Sequence, residues 1–183
     1  MAKIIIGLVG EKGSGKGTVA EYFKKNYQAR IYRFSKILND ILDRLYLPKS
    51  RENQINLFLT LKEKFGSEVL ANILKKDIEN DKNALIVADG IRRWPELELL
   101  SQLPNFYLIY VTADIKKRFE RSRLRGEKEG ESSMTFADFK KEEKKPTEIE
   151  IANIGKEAFF KINNDKTFDK LFKQIENIIK KIT

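Results

Sequence analysis

The stretch Gly10-Glu11-Lys12-Gly13-Ser14-Gly15-Lys16-Gly17-Thr18 decides how the rest of the chain is read. Before it stands an apolar, β-branched run at residues 3–9 (KIIIGLV). After it, Val19, Ala20, Phe23 and Tyr27 recur at helical spacing. Strand, glycine-rich loop and helix in that order have a specific physical consequence. Glycines let the backbone turn so that successive N–H groups converge on one point and can surround the oxygens of an anion. The following helix adds the partial positive charge of its N-terminus. Lys16 brings an ammonium to the same place, with the spacing that reaches the β- and γ-phosphates of a nucleoside triphosphate. Gly10, Gly13, Ser14, Gly15, Lys16, Gly17 and Thr18 are therefore the candidate ATP-binding residues. Gly17 stands where Ser or Thr ordinarily follows the lysine, so the hydroxyl comes one residue later, at Thr18, a place from which it can touch phosphate rather than ligate Mg²⁺ directly.

Working outward, residues 30–34 read as a second strand, with Ser35 expected to cap a helix that carries Ile37, Leu38, Ile41, Leu42 and Leu45. Residues 51–79 are helical in pattern, with a break expected near Gly66-Ser67. A third strand at residues 84–88 (ALIVA) is expected to end at Asp89-Gly90, and Pro95 opens the next helix. Residues 106–111 (FYLIYV) form the fourth strand candidate, and Asp114 is placed to cap a helix from Ile115 to about Arg125. Residues 126–133 (GEKEGESS) read as a mobile polar loop. Residues 136–155 are weakly helical, with an interruption expected at Pro146-Thr147. A fifth strand at residues 158–163 precedes a closing helix over residues 167–182. This alternation predicts an α/β fold of three layers, with about five parallel strands and helices on both faces. Ligands in such sheets collect at the carboxyl ends of the strands. The polar clusters at Gly10 to Thr18, at Ser35, at Asp89 to Arg93 and at Thr112 to Asp114 all follow strand candidates.

Composition narrows the chemistry. The 183 residues include no cysteine and no histidine, which excludes disulfides, zinc–thiolate sites, histidine metal sites and Ser-His-Asp or Cys-His catalysis. The longest apolar runs are too short to cross a bilayer, and no secretory leader is evident, so a cytoplasmic, membrane-free protein is expected. The net charge of +9 suits an anionic partner but is equally the mark of a lysine-rich solvated surface.

GEKGSGKGT resembles the phosphate loop of adenylate kinases and related nucleoside monophosphate kinases, in which Lys-Gly-Thr is common. Asp89-Gly90-Ile91-Arg92-Arg93 resembles the Asp-Gly-x-x-Arg segment of those kinases. It resembles more closely the Asp-Gly-x-Arg form of dephospho-coenzyme A kinase-like and phage deoxynucleotide kinase-like proteins. The resemblance implies a P-loop NTPase fold in one domain spanning residues 1–183. Its core would be residues 1–34, 84–125 and 157–183, with an acceptor-binding helical region at 35–80 and a short lid at 126–145. It implies ATP and Mg²⁺ as cofactors, with Thr18 and Asp89 toward the metal, and Lys16, Asp89, Arg92 and Arg123 as the catalytic set. A phosphate-bearing small molecule would be gripped by Ser35 and by Arg92 or Arg93: Arg92 fits one form of the motif and Arg93 the other. Arg118, Arg121 and Arg125 share a helix face that could clamp the polyphosphate, with Arg118 and Arg123 the leading pair. In these kinases an arginine follows Ser35's position by about one turn. Here Asp40 holds that offset and Arg44 comes later, which argues against ordinary AMP specificity.

The expected activity is phosphoryl transfer from ATP to a nucleoside or deoxynucleoside monophosphate. Two alternatives remain: transfer to a ribose hydroxyl, as in dephospho-coenzyme A kinases, and an RNA-associated ATPase. Nucleic acid is not the expected partner, since no aromatic RNA-binding pattern is present. A monomer or homodimer is expected.

Overall fold

The computed structural model describes residues 2–125 and 132–183. Its centre is one parallel sheet of five strands, β1 (Ile4–Val9), β2 (Arg30–Arg33), β3 (Leu85–Ile91), β4 (Phe106–Thr112) and β5 (Phe160–Asn163), in the order β2-β3-β1-β4-β5. The helices of the described residues are α1 (Lys16–Tyr27), α2 (Phe34–Arg44), α3 (Arg51–Phe65), α4 (Val69–Asn80), α5 (Trp94–Leu100), α6 (Ile115–Arg125), α7 (Phe136–Glu142), α8 (Pro146–Lys156) and α9 (Phe168–Ile182).

Period-two alternation along each strand makes the three layers. From β1, Ile6 and Leu8 point to one face, where they meet Val19, Ala20 and Phe23 of α1 and Leu171, Ile175 and Ile178 of α9. Ile5 and Val9 point to the other, where they meet Leu38 of α2, Leu74 of α4, Leu100 of α5 and Ile151 and Ile154 of α8. The loop that leaves β1 therefore stands between two differently built faces. From β1 the chain first moves to one side of the sheet, to β2 and then β3, and afterwards to the other, to β4 and β5. This puts the end of β1 at the point where the strand order reverses, the place where open parallel sheets form a ligand crevice.

Four local expectations change. Phe34 belongs to α2, because β2 runs directly into that helix. The helix is entered through extended Arg33, without a side-chain cap, so Ser35 lies inside the first turn rather than capping it. β3 continues through Asp89 and Gly90 to Ile91, because its neighbour β1 is long enough to keep pairing past a register shift at Leu8/Val9. The weakly helical stretch is two helices, and Pro146 opens the second of them, where a missing N–H costs nothing. The break near Gly66 and the cap at Asp114 stand as read: Gly66 has φ 91°, and Asp114 Oδ1 accepts from Lys116 N–H at 2.9 Å. Of the expected lid, residues 126–131 lie outside the described residues.

Candidate active site

The loop folds as a ring closed from outside by three elements. Gly13 and Gly15 take left-handed backbone with φ of 75° and 99°. At Gly13 a Cβ would lie 2.3 Å from the Arg118 carbonyl oxygen, and at Gly15 2.1 Å from Asn164 Nδ2, so both need glycine twice over. Asn164, buried just past β5, donates from Nδ2 to the Ser14 carbonyl at 2.9 Å and from its own N–H to the Thr112 carbonyl at 2.8 Å. It ties the loop to the ends of β4 and β5. Gly15 is also the N-cap of α1 and offers no side-chain cap, so the first N–H groups of that helix are left facing the ring.

Lys16 lies inside this ring. Its Nζ donates to the carbonyls of Gly10 at 2.6 Å and Glu11 at 3.1 Å. Burial, and then the positive charge of Arg92, push its pKa down to about 8, while Asp89, Glu11 and Glu148 pull the other way. Lys16, Asp89 and Arg92 thus belong to one electrostatic neighbourhood. Asp89 arrives there by strand register, paired with Leu8 of β1 and with Arg33 of β2. The same pairing sets the Arg33 Nε to Asp89 Oδ2 ion pair at 2.9 Å.

The two arginines after Asp89 separate cleanly. Arg93 donates from Nε and Nη2 to Glu96 Oε1, at 2.8 and 2.5 Å, and stacks its guanidinium over Phe58 of α3 at 4.3 Å. Glu96, only 4% exposed, also accepts from the N–H groups of Arg92 and Arg93 through Oε2. Arg93 is therefore built into the capping of α5. The Arg92 side chain is exposed and makes no hydrogen bond or ion pair among the described residues, which leaves its guanidinium fork available to an anion.

The arginines of α6 lie differently from the expected clamp. Arg118 is buried beneath the loop: it donates from Nε to the Ala113 carbonyl at 3.0 Å and from Nη1 to the Lys12 carbonyl at 3.3 Å, and pairs with Glu143 at 2.5 Å. Arg121 donates to the Asn164 carbonyl at 2.8 Å. Arg123 is exposed, with its guanidinium 5.6 Å from the centre of the Phe119 ring. Ser35, also exposed, lines a cleft of about 780 Å³ at the β2 edge with Arg33, Lys36 and Asn39. Thr18 lies exposed in the first turn of α1, and Gly17 before it has open space where a side chain would be.

Several residues of the site carry no local pattern. Glu11 is 7% exposed, and its Oε1 accepts from the Tyr110 hydroxyl while Oε2 has no partner. Burial, and then that bond, push the Tyr110 pKa up to about 12. Arg33, Asn164 and Glu143 join the site only through contacts distant in sequence. Asn163 at the end of β5 accepts from the Asp165 N–H, and its neighbour Asn164 reaches the loop.

Among the described residues no helix is long and apolar enough to cross a membrane. Residues 6–149 match the family described as the AAA domain. The chain is 29% identical over 184 residues to a UPF0200 protein of Pyrococcus abyssi, covering 98% of this chain and 97% of the relative. It is 26% identical over 180 residues to a UPF0200 protein of Sulfurisphaera tokodaii, covering 97% of each. Among solved structures, shikimate kinase from Bacteroides thetaiotaomicron superposes with a TM-score of 0.69 at 11% identity over 98% of both chains. At that identity the likeness is one of fold: the five-stranded parallel sheet with its helices is the P-loop kinase-like α/β fold.

Proposed function

The chain belongs to the AAA domain family, and from that premise we propose that it transfers the terminal phosphoryl group of ATP to a small phosphate-bearing acceptor, a nucleoside or deoxynucleoside monophosphate. The observation that carries this reading is the pair of cations at the end of β1. Lys16 lies in the glycine loop with its Nζ held by the Gly10 and Glu11 carbonyls, and Arg92, whose side chain has no partner among the described residues, lies within range of its charge. Two like charges held together favour an anion between them. Phosphoryl transfer asks a protein mainly for positioning and for charge stabilisation, which loop, lysine and arginine supply without any histidine or cysteine.

In this reading the triphosphate lies along Gly10, Gly13, Ser14, Gly15, Lys16, Gly17 and Thr18, and Lys16 follows the transferred group. Arg92 rather than Arg93 grips the acceptor phosphate, because the Arg93 fork is occupied by Glu96. Arg118 acts from below as a strut of the loop, and Arg123 is the arginine of α6 left to approach the phosphates from the lid side. The helical region at 35–80, entered at Ser35, forms the acceptor wall. Among the described residues no three acidic groups cluster into an all-protein metal cage. Mg²⁺ keeps water and phosphate oxygens as most of its ligands and needs few from the protein. The Thr18 hydroxyl and the Asp89 carboxylate, whose Oδ2 pairs with Arg33, are oxygen donors of the required kind and would hold it. When bound, the metal neutralises charge on the β- and γ-oxygens.

The test is an ADP-release assay with ATP, Mg²⁺ and a panel of nucleoside monophosphates plus dephospho-coenzyme A. Transfer to a monophosphate, abolished by Lys16→Ala in a variant that still folds, is the expected result. Acceptor-independent hydrolysis stimulated by RNA, or undiminished turnover by Lys16→Ala, defeats the reading.

A further inference from the structure

The first turn of α8 brings a carboxylate to this site that the reading above leaves unused. α8 packs against β1, β4 and α5, and its Ile151 and Ile154 are buried in the core face shared with α2, α4 and α5. Glu148 precedes Ile151 by three residues and so shares its inward side. The turn is held in place from two directions. The Trp94 N–H donates to Glu150 Oε1 at 3.0 Å, joining α8 to the segment that carries Arg92 and Arg93. Just before α8, Glu143 pairs with Arg118 and Glu142 with Lys12 of the loop. Glu148 is thereby fixed at the carboxyl end of the sheet, on the side of the acceptor wall, within range of the Lys16 charge.

Its Oε2 is buried and has no hydrogen-bond partner. A buried carboxylate oxygen without a donor is costly, and natural sites retain one when something else supplies the donor. Lys16 is engaged by the Gly10 and Glu11 carbonyls, and Arg93 by Glu96. A phosphate group brings no donor and is repelled by the carboxylate. The group that completes Glu148 donates a hydrogen bond, and with Arg92 assigned to the acceptor phosphate in the reading above it comes from the acceptor itself.

We propose that Glu148 is a specificity-determining residue that accepts a hydrogen bond from a sugar hydroxyl of the acceptor, so that the site selects acceptors carrying both a phosphate for Arg92 and a hydroxyl for Glu148. The inference rests on the phosphotransferase reading and narrows its substrate class. Glu148 orients the acceptor by a contact made on binding, so its loss weakens acceptor binding and leaves ATP binding in place.

The experiment uses the full chain with ATP and Mg²⁺, ribonucleoside 5′-monophosphates, their 2′-deoxy and 3′-deoxy counterparts, and dephospho-coenzyme A. KM and kcat are measured for wild type, Glu148→Leu and Glu148→Gln. For the preferred acceptor, Glu148→Leu is expected to raise the acceptor KM about ten- to hundred-fold, as for loss of a hydrogen bond to a charged group, with the KM for ATP within about two-fold of wild type. Wild type should disfavour the analogue lacking the bound hydroxyl by a similar factor, and Glu148→Leu should no longer tell the two apart. If Glu148→Leu does not fold, the same loss of discrimination, smaller in size, is read from Glu148→Gln. Equal use of parent and both deoxy analogues by wild type overturns the proposal, as does discrimination undiminished in the Glu148 variants. In those cases transfer itself continues, so the wider reading stands. If no acceptor is phosphorylated by wild type, that reading falls and this inference with it.

Discussion

Removing the Arg118 charge separates a structural strut from a phosphate ligand. Arg118 is 6% exposed, and its partner Glu143 has a side chain 16% exposed, with 2.5 Å between them. Burial disfavours the arginine's charge, yet the hydrogen bond and charge of Glu143 hold its pKa above the ordinary arginine range. Arg118→Met keeps much of the side-chain volume and removes the guanidinium. It strands the Glu143 carboxylate, takes one of the nearby positive charges from buried Glu11, and withdraws the donors to the Ala113 and Lys12 carbonyls. Breaking a buried pair from one side costs about 3–5 kcal/mol, and in a chain of this size each kcal/mol shifts the melting temperature by about 2–4 °C, so a fall of about 6–20 °C is expected. Thermal unfolding followed by circular dichroism reads it. The double variant Arg118→Met/Glu143→Gln should recover part of the loss, because the stranded carboxylate is gone. An Arg118→Met protein that melts with wild type and shows only a raised KM for ATP would refute the argument and return Arg118 to the clamp inferred from helix spacing.

Four further outcomes are expected. In the proposed reading Lys16 holds phosphate as the ammonium, so kcat/KM for ATP should be level below pH 7 and fall as pH rises through about 8, the pKa of the free protein. Stability runs the other way. Between pH 8 and the ordinary lysine value of 10.5 the unfolded chain holds a proton that the folded one has released, so this group's contribution to folding stability rises with pH across that window. Denaturant midpoints of wild type against Lys16→Met should show that difference, and parallel curves would exclude it. Asn164→Ala deprives the Ser14 carbonyl of its buried donor, costing about 1–3 kcal/mol and loosening the loop, so both a lower melting temperature and weaker ATP binding by calorimetry are expected. Gly15→Ala combines a φ of 99° with a Cβ 2.1 Å from Asn164 Nδ2, and should abolish ATP binding while circular dichroism still reports the α/β fold.

Much of this molecule is legible from short range. The apolar runs that become β1, β3 and β4, the glycine loop, the amphipathic α1 and α9 and the break at Gly66 are properties of neighbouring residues, and periodicity or turn chemistry states them directly. The nucleotide-binding loop is legible for the same reason: its chemistry lies in consecutive residues whose backbone must curl. Asp89 and Arg92 are legible as chemical types at the end of a strand.

Which groups share the site is a tertiary matter. Asn164 reaches the Ser14 carbonyl across 150 residues, Arg118 reaches Lys12 across 106, and Tyr110 reaches Glu11 across 99. Each contact exists because the order β2-β3-β1-β4-β5 puts the ends of β4 and β5 beside the loop. Helix spacing correctly gives Arg118 and Arg121 a common face, but whether that face meets solvent, phosphate or a neighbouring carbonyl depends on how α6 lies against the loop. Arg93 and Arg92 are adjacent and chemically alike, and only the position of Glu96 one turn into α5 distinguishes them. Glu148 is the extreme case: in the sequence it is one more acidic residue near a helix start, and packing of Ile151 on the core turns it inward. Local sequence decides conformation because steric and hydrogen-bond preferences act over a few residues. Side-chain partnership is decided by burial, which depends on the whole fold.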